Sequence, residues 1–138
     1  MEPPRGGRPG PTILLVEDDA LLRKAAERAL RQRGFRVLTA ASGDDALRTV
    51  SAEIPDLVLL DLIMPGLPGH EVLKALKENG ATAAVPVVIL TNLGQDSDVR
   101  RALDAGAAAY AIKANLSLDD LAALVRKVLT THGSPQGT

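Results

Sequence analysis

The fold is decided by residues 12–19, which read Thr-Ile-Leu-Leu-Val-Glu-Asp-Asp. The first five residues form a short and nearly continuous apolar run, which is typical of a parallel strand that is covered on both faces of its sheet. Three acidic residues follow, and the last of them, Asp19, is suited to begin a helix because aspartate is a preferred N-cap residue. The stretch therefore predicts a buried strand, an acidic loop and then a helix.

The same alternation of an apolar run with a segment of helical periodicity continues along the chain. The predicted strands are Thr12–Val16, Phe35–Ala40, Asp56–Leu60, Val85–Leu90 and Ala108–Ile112. The predicted helices are Asp19–Gln32, Gly43–Ala52, Gly69–Asn79, Ser97–Asp104 and Ser117–Thr130. This (βα)5 pattern predicts an α/β fold, a doubly wound parallel sheet for which we expect the flavodoxin-like strand order 2-1-3-4-5. The second strand contains Arg36 and Thr39, which indicates an edge position.

The composition is that of a single globular domain. Of the 138 residues, 46% are hydrophobic and 24% are charged, which suffices for one core. Phe35 and Tyr110 are the only aromatic residues, so sites that stack bases or cage ligands with aromatic rings are excluded. The net charge of -1 provides no field that would attract nucleic acid or anionic lipid. Without cysteine, a disulfide framework, a thiolate zinc site and a cysteine nucleophile are excluded as well.

The two ends of the chain differ in composition from its middle. Residues 1–11 and 131–138 are rich in proline and glycine, so we predict disordered tails on either side of a domain at residues 12–130. The first residues lack the apolar segment of a secretory signal, and no apolar run reaches the about 18 residues that a membrane span needs. We therefore expect a cytoplasmic protein with no direct membrane or nucleic-acid contact, whose output passes to another protein.

Polar side chains follow the ends of four predicted strands. They are Glu17, Asp18 and Asp19, then Asp61, Thr91 and Lys113. Because the carboxyl ends of parallel strands share one edge of the sheet, and ligands bind there where the strand order reverses, Glu17, Asp18 and Asp61 should meet. Carboxylates this close repel one another unless a cation neutralises them. Mg²⁺ is favoured, because it binds carboxylate, water and phosphate oxygens, whereas zinc prefers histidine or cysteine.

This set of groups is suited to phosphoryl transfer onto an aspartate. Asp61 would attack phosphorus, Mg²⁺ would neutralise the developing charge, and Lys113 would bind a phosphoryl oxygen. Thr91 would donate a hydrogen bond to the product. Taken singly, each residue has a simpler interpretation: Asp18 as a helix cap, Asp61 as a turn residue, and Lys113 as a solvated surface charge. The coincidence at four strand ends favours the common site.

The residues also resemble a known family, the receiver domain of bacterial response regulators, and in particular its stand-alone, chemotaxis-regulator-like type. The resemblance covers nearly all of residues 12–130. It is carried by Leu14-Leu15-Val16-Glu17-Asp18-Asp19, Leu59-Leu60-Asp61-Leu62-Ile63-Met64-Pro65-Gly66, Ile89-Leu90-Thr91 and Tyr110-Ala111-Ile112-Lys113. The resemblance implies that Glu17 and Asp18 organise Mg²⁺, with Asp18 the more direct ligand. It further implies that Asp61 is the phosphoacceptor and that the main-chain carbonyl of Ile63 completes the protein's metal ligands.

The resemblance also implies a switch and a set of partners. Thr91 and Tyr110 match the switch pair of such receivers, and Lys113 matches their phosphate-binding lysine. Phosphate would come from a phosphohistidine on a sensor histidine kinase or a phosphotransfer protein. Phosphorylation would remodel the surface of the fourth helix, fifth strand and fifth helix, and so control a downstream protein target. The candidate contacts on that surface are Arg100, Arg101, Tyr110, Arg126 and Lys127.

From the same resemblance we expect a phosphoacceptor that assists its own phosphorylation and dephosphorylation, rather than an enzyme that acts on other substrates. We expect it to be a monomer or to form a weak dimer on phosphorylation.

Two departures from the family's pattern lie directly beside the predicted site residues. Receivers usually follow the lysine with a proline in a cis peptide, whereas Ala114 follows Lys113 here. A cis bond to alanine costs about 3 kcal/mol, so either a trans peptide reshapes this loop or the fold bears that strain. Asn92 replaces the small residue that is common after the switch threonine, and we expect it to alter the access of water to the acceptor.

These departures leave an alternative open, a receiver-shaped interaction module that does not accept phosphate. Two other classes fit the residues less well. A haloacid-dehalogenase-type phosphatase needs a second aspartate two residues after its nucleophile, where this chain has Ile63. A flavodoxin-like FMN carrier needs a first loop that binds phosphate, and the acidic loop here would repel it.

Overall fold

The computed structural model describes residues 10–132. Most of the two predicted tails therefore lies outside the described residues. At the carboxyl end the last helix continues through Thr131 and His132, two residues beyond its predicted end at Thr130. None of the helices between residues 10 and 132 combines the length and the apolar character that crossing a membrane requires.

Five parallel strands alternate with five α-helices in this part of the chain. The strands are β1 Thr12–Val16, β2 Arg36–Ala40, β3 Leu57–Leu60, β4 Val87–Thr91 and β5 Ala109–Ile112. The helices are α1 Ala20–Gln32, α2 Gly43–Ala52, α3 Gly69–Glu78, α4 Asp96–Asp104 and α5 Leu118–His132, and a 3-10 turn covers Lys113–Asn115. The strand order β2-β1-β3-β4-β5 confirms the predicted flavodoxin-like α/β topology.

Both faces of the sheet are covered, which explains the continuous apolar runs. Neighbouring residues of a strand point to opposite faces, so Leu14 and Val58 pack in one core layer while Ile13 and Leu57 pack in the other. The first layer lies under α2, α3 and α4, and the second lies under α1 and α5. β2 lies at the edge and is only partly buried, as its polar residues predicted.

The helix ends follow the local sequence. Asp19 caps α1 as predicted, because its Oδ1 accepts hydrogen bonds from the amides of Leu21 at 3.0 Å and Leu22 at 3.1 Å. Ser117 and Asp120 form a reciprocal capping box at the start of α5, with distances of 3.0 and 3.2 Å. These caps fix where the loops on the functional edge of the sheet end and the helices begin.

The fourth strand differs most from its prediction. It was predicted as Val85–Leu90, but Pro86 has no N–H to donate to a ladder, and β4 begins only after it. At the other end the strand continues to Thr91, whose Cα pairs with that of Ile112 on β5. Thr91 is therefore the last residue of the strand and not the first residue of the loop.

Candidate functional site

An acidic cluster lies where β1 and β3 end. Val16 pairs with Leu60 in the register of these strands. Glu17 and Asp61 come directly after these two residues and therefore lie side by side. One carboxylate oxygen from each of Glu17, Asp18 and Asp61 lies within 4.8 Å of the others. The predicted meeting of these three carboxylates is confirmed.

The three carboxylates differ in burial. Glu17 is 3% exposed and Asp61 is 5% exposed, whereas Asp18 is an exposed residue. A buried carboxylate is unfavourable unless it is paired or hydrogen-bonded. Glu17 and Asp61 therefore need partners within the fold, while Asp18 keeps an open side toward solvent.

Lys113 supplies the positive partner. Its Nζ lies 2.6 Å from Asp61 Oδ2 and 2.6 Å from Glu17 Oε1, and its side chain is largely buried. Burial alone would lower the pKa of Lys113, but the hydrogen bonds and charges of Asp61 and Glu17 outweigh it, so the pKa is raised. The amine therefore stays charged at neutral pH and neutralises part of the acidic cluster.

Main-chain amides hold both buried carboxylates in place. Glu17 Oε2 accepts a hydrogen bond from the amide of Asp19 at 3.0 Å, and Asp61 Oδ1 accepts one from the amide of Ile63 at 3.1 Å. Arg23 donates to the main-chain carbonyl of Glu17 at 2.8 Å. The orientation of the cluster is thus set by the two loops that carry it.

Gly69 has a role that the sequence analysis did not detect. A Cβ atom at this first position of α3 would lie 2.4 Å from the main-chain oxygen of Asp61, and the Gly69 amide donates to the carbonyl of Leu62 at 3.1 Å. The helix therefore packs directly on the main chain of the loop after β3. A glycine at the start of a predicted helix was the available signal, but a close approach between loops is not visible in sequence spacing.

Thr91 is completely buried at the end of β4, between β3 and β5. Among the side-chain oxygen and nitrogen atoms that are buried within residues 10–132, Thr91 Oγ1 alone has no hydrogen-bond partner. Leaving such a hydroxyl unpaired costs about 1–3 kcal/mol, so an unpaired buried group requires an explanation.

Tyr110 lies on β5, on the same face of the sheet as Thr91. Thr91 is paired with Ile112, and Tyr110 shares a face with Ile112 because alternate residues of a strand point the same way. The Tyr110 hydroxyl donates a 2.6 Å hydrogen bond to the carbonyl of Leu93 in the loop after β4. Burial raises the pKa of Tyr110, with a smaller contribution from the negative charges of Asp98 and Asp61. The phenol thus stays neutral and ties β5 to that loop.

The loop after β5 contains a trans peptide where the family usually has a cis proline. The described residues contain no cis peptide, so the bond between Lys113 and Ala114 is trans, and Lys113–Asn115 form the 3-10 turn. The amide of Ala114 donates to Asn92 Oδ1 at 3.0 Å. Despite the missing proline, the amine of Lys113 reaches Asp61.

Comparison with known proteins agrees with these observations. A family model described as the response regulator receiver domain matches residues 13–126. The transcriptional regulatory protein AfsQ1 of Streptomyces coelicolor is 41% identical over 103 residues, which are 75% of this chain and 44% of that protein. The phosphate regulon transcriptional regulatory protein PhoB of Escherichia coli is 38% identical over 117 residues, which are 85% of this chain and 51% of that protein. The chain thus spans about half the length of these relatives.

Solved structures show the same architecture. The chemotaxis response regulator CheY4 of Vibrio cholerae aligns with a TM-score of 0.82 and 25% identity, over 87% of this chain and 99% of that one. The signal receiver domain of a signal transduction histidine kinase from Syntrophus aciditrophicus aligns with a TM-score of 0.80 and 30% identity, over 88% of this chain and 92% of that one. The chain therefore shares its fold with a chemotaxis response regulator and with the receiver domain of a histidine kinase.

Proposed function

The chain belongs to the response regulator receiver domain family, and we propose that it accepts a phosphoryl group on Asp61 as part of a two-component phosphorelay. The observation that carries this proposal is the position of the Asp61 carboxylate, beside Glu17 and Asp18 and 2.6 Å from Lys113 Nζ. A nucleophile, an oxygen-rich metal site and a phosphate-binding cation thus lie within one small volume. Phosphoryl transfer requires these groups together.

The acidic cluster fits Mg²⁺ in its chemistry. Every side-chain donor is a carboxylate oxygen, and the three oxygens lie within 4.8 Å of one another. The proposed ligands are Glu17, Asp18 and Asp61, together with the main-chain carbonyl of Ile63. When bound, the ion supplies positive charge that offsets the negative charge of the incoming phosphoryl group.

The chain's own groups have separate tasks in the proposed transfer. An oxygen of Asp61 forms a bond to phosphorus while the bond between phosphorus and the donor nitrogen breaks, and the electron pair leaves with the donor imidazole. Lys113 shifts its hydrogen bond from the carboxylate to a phosphoryl oxygen. Later attack by water on phosphorus breaks its bond to the Asp61 oxygen, releases inorganic phosphate and restores the free aspartate. The protein is in this proposal a phosphoacceptor that assists its own two reactions, and not an enzyme with a separate substrate.

The unpaired hydroxyl of Thr91 supports a switch. A phosphoryl group on Asp61 adds acceptor oxygens at the end of β3, the neighbour of β4. A hydroxyl that gains a partner only in the phosphorylated state stabilises that state over the free one. We propose that Thr91 moves toward the phosphoryl group and that Tyr110 then leaves the carbonyl of Leu93, which changes the surface of α4, β5 and α5.

We expect Thr91→Val to stabilise the unphosphorylated protein by about 1 kcal/mol, because valine has nearly the same shape and removes the unpaired hydroxyl. The variant should still be phosphorylated, but the shifts that phosphorylation causes in the amide NMR spectrum of α4 and β5 should be largely lost. Urea denaturation and NMR spectra measure the two effects. A variant that is less stable than the parent, or that switches fully, would contradict the role of Thr91.

Exposed apolar side chains around the site support a protein as the phosphate donor. Leu21, which is 83% exposed, lies on the first turn of α1. Ile63 lies in the loop after β3, and Leu118 lies at the start of α5; both are exposed as well. Large apolar residues that border a charged site are typical of a protein-binding surface. We propose that a sensor histidine kinase or a phosphotransfer protein docks there.

The output surface of α4, β5 and α5 retains most of its proposed contacts. Arg100, Arg101 and Lys127 are exposed on it. Arg126 is exposed as well, but its guanidinium lies 5.2 Å from the ring centre of Phe35 and donates to the carbonyl of Arg33 at the end of α1, so its contact role stays a prediction. The downstream target, the oligomeric state and the cytoplasmic location stay predictions.

The alternative of a module that takes no phosphate was based on Ala114 and Asn92. Since Lys113 Nζ lies 2.6 Å from Asp61 despite both departures, they do not displace the phosphate-binding amine. The geometry therefore favours the phosphoacceptor.

Incubation with acetyl phosphate and Mg²⁺ tests the proposal. We expect intact-protein mass spectrometry to detect one added phosphoryl group that is stable to acid and labile to base, and that depends on Mg²⁺. If no adduct forms, even with a range of phosphorylated donor proteins, the interaction module replaces the phosphoacceptor as the best account.

The metal site has its own test. We expect Asp18→Asn to weaken Mg²⁺ binding at least tenfold in isothermal titration calorimetry, because the variant removes a negatively charged ligand. The fold should be unaffected, since the exposed Asp18 carboxylate makes no hydrogen bond within residues 10–132. Asp19→Ser is the matched control, since serine keeps the helix cap and removes the neighbouring charge. If the two variants lose Mg²⁺ affinity equally, the affinity depends on the total negative charge of the loop and not on Asp18 as a specific ligand.

A further inference from the structure

A hydrogen bond joins the loops that follow β4 and β5. Asn92 comes directly after Thr91, and Ala114 comes directly after Lys113. The side-chain oxygen of Asn92 accepts from the amide of Ala114 at 3.0 Å. The bond therefore connects the two residues next to the buried hydroxyl and the charged amine of the site.

The main chain at Lys113 has few other restraints on this side. The ladder between β4 and β5 fixes Ile112 opposite Thr91 and ends there. Beyond it, the 3-10 turn closes on itself, with the amide of Leu116 donating to the carbonyl of Lys113 at 3.2 Å. Ala114 is exposed and has a small side chain, so its own packing does not hold it, and the nearest core contact is that of Leu116 at the end of the turn. The hydrogen bond from the Ala114 amide to Asn92 thus ties the first part of the turn, next to Lys113, to the end of β4.

We propose that Asn92 is a positioning residue for Lys113, and that it acts through the amide of Ala114. The inference rests on the proposed function, in which Lys113 binds a phosphoryl oxygen. The bond fixes the direction in which the Lys113 side chain leaves β5, and the amine can then reach Asp61 and Glu17 together. A residue without an N–H at position 114 could not receive this support.

The positioning role differs from the altered access of water to the acceptor that the sequence predicted for Asn92, which is here called shielding. A shielding residue acts through its bulk beside the phosphoryl group and does not need the amide of Ala114. A positioning residue loses its effect as soon as that amide is removed. The two roles therefore differ in how a substitution at residue 92 combines with one at residue 114.

A double-mutant cycle of Asn92→Ala and Ala114→Pro tests the inference. In the parent, Asn92→Ala should slow phosphorylation by acetyl phosphate roughly fivefold, the effect of one lost hydrogen bond. In the Ala114→Pro background the same change should have no further effect. In an Ala114→Gly background, which keeps the amide, the fivefold effect should persist. Asn115→Ala, which removes an exposed asparagine from the same turn, is the control and should leave the rate unchanged.

Two measurements do not depend on the proline variant. Hydrogen exchange of the Ala114 amide should be accelerated in Asn92→Ala and remain slow in Asn92→Asp, which keeps an acceptor oxygen. Calorimetry should give the same Mg²⁺ affinity in Asn92→Ala as in the parent, because the proposed metal ligands lie after β1 and β3. Loss of Mg²⁺ affinity would indicate general damage to the site and overturn the inference.

The outcomes distinguish this inference from the proposed function. If the parent takes no phosphate, the proposed function fails and the inference fails with it. If the parent is phosphorylated and Asn92→Ala is phosphorylated at the same rate, the positioning role is overturned and the proposed function is not. An Asn92→Ala effect of equal size in the proline background also overturns it, and assigns Asn92 to shielding.

Discussion

Replacing Asp61 with asparagine is expected to abolish the base-labile phosphoryl adduct that acetyl phosphate and Mg²⁺ produce, with a loss of at least about a hundredfold in rate. The neutral amide lacks the anionic oxygen that would attack phosphorus. It also removes one charge from the proposed metal site. The fold should persist, because asparagine has the same shape and its side-chain oxygen can still accept from the amide of Ile63, now 3.1 Å from Asp61 Oδ1. Mass spectrometry of the intact variant before and after base treatment measures the adduct.

Asp104→Asn is the matched control for this variant. Asp104 is an exposed aspartate at the carboxyl end of α4, near the opposite edge of the sheet, and its replacement should leave the adduct unchanged. A base-labile adduct that survives in Asp61→Asn would assign the acceptor to another carboxylate, with Asp18 the first to be tested.

Replacing Lys113 with methionine is expected to have two effects. Phosphorylation should slow by roughly 10²–10³-fold, because a preorganised positive group no longer meets the phosphoryl oxygens. Without Mg²⁺, the free energy of unfolding should fall by about 3 kcal/mol, because Glu17 and Asp61 keep their buried charges and lose their partner. Added Mg²⁺ should restore much of that stability, since it provides the missing positive charge. Urea denaturation with and without Mg²⁺ measures this difference.

The control for this variant is Lys127→Met, which removes an exposed lysine from α5. It should change neither the stability nor its dependence on Mg²⁺. If Mg²⁺ stabilises Lys113→Met no more than the parent, the amine and the metal do not compensate the same carboxylates, and the electrostatic account of the site is wrong.

The raised pKa of Lys113 gives the pH dependence of the same ion pairs. A group whose pKa is higher in the folded state stabilises that state fully below its unfolded pKa. The stabilisation is lost only as the pH rises through the raised folded value. The contribution of Lys113 to stability is therefore constant across neutral pH, and its loss belongs to strongly alkaline conditions.

Much of the site could be predicted because it depends on topology. Runs such as Thr12–Val16 identify buried strands, and parallel strands bring their carboxyl ends to one edge. Glu17, Asp18 and Asp61 then have to meet, whatever the details of packing. The same logic brought Lys113 to this edge.

The parts that were missed depend on tertiary contacts of single side chains. The side chain of Arg126 points toward Phe35, and that of Asn92 accepts from the amide of Ala114. Both contacts depend on side-chain rotamers, which spacing along the chain does not determine. Likewise, the close approach of Gly69 to the main chain of Asp61 depends on how the loop after β3 folds back. These contacts decide how firmly the groups are held and not whether they meet.

The hydrogen bond from Tyr110 to the carbonyl of Leu93 has a practical consequence. The chain contains one tyrosine and no tryptophan, so its ultraviolet fluorescence comes almost entirely from this one phenol. The emission of a tyrosine depends on whether its hydroxyl donates to a carbonyl or contacts water. The unlabelled protein therefore carries a natural optical reporter at the loop after β4, and stopped-flow fluorescence can follow any movement there in real time.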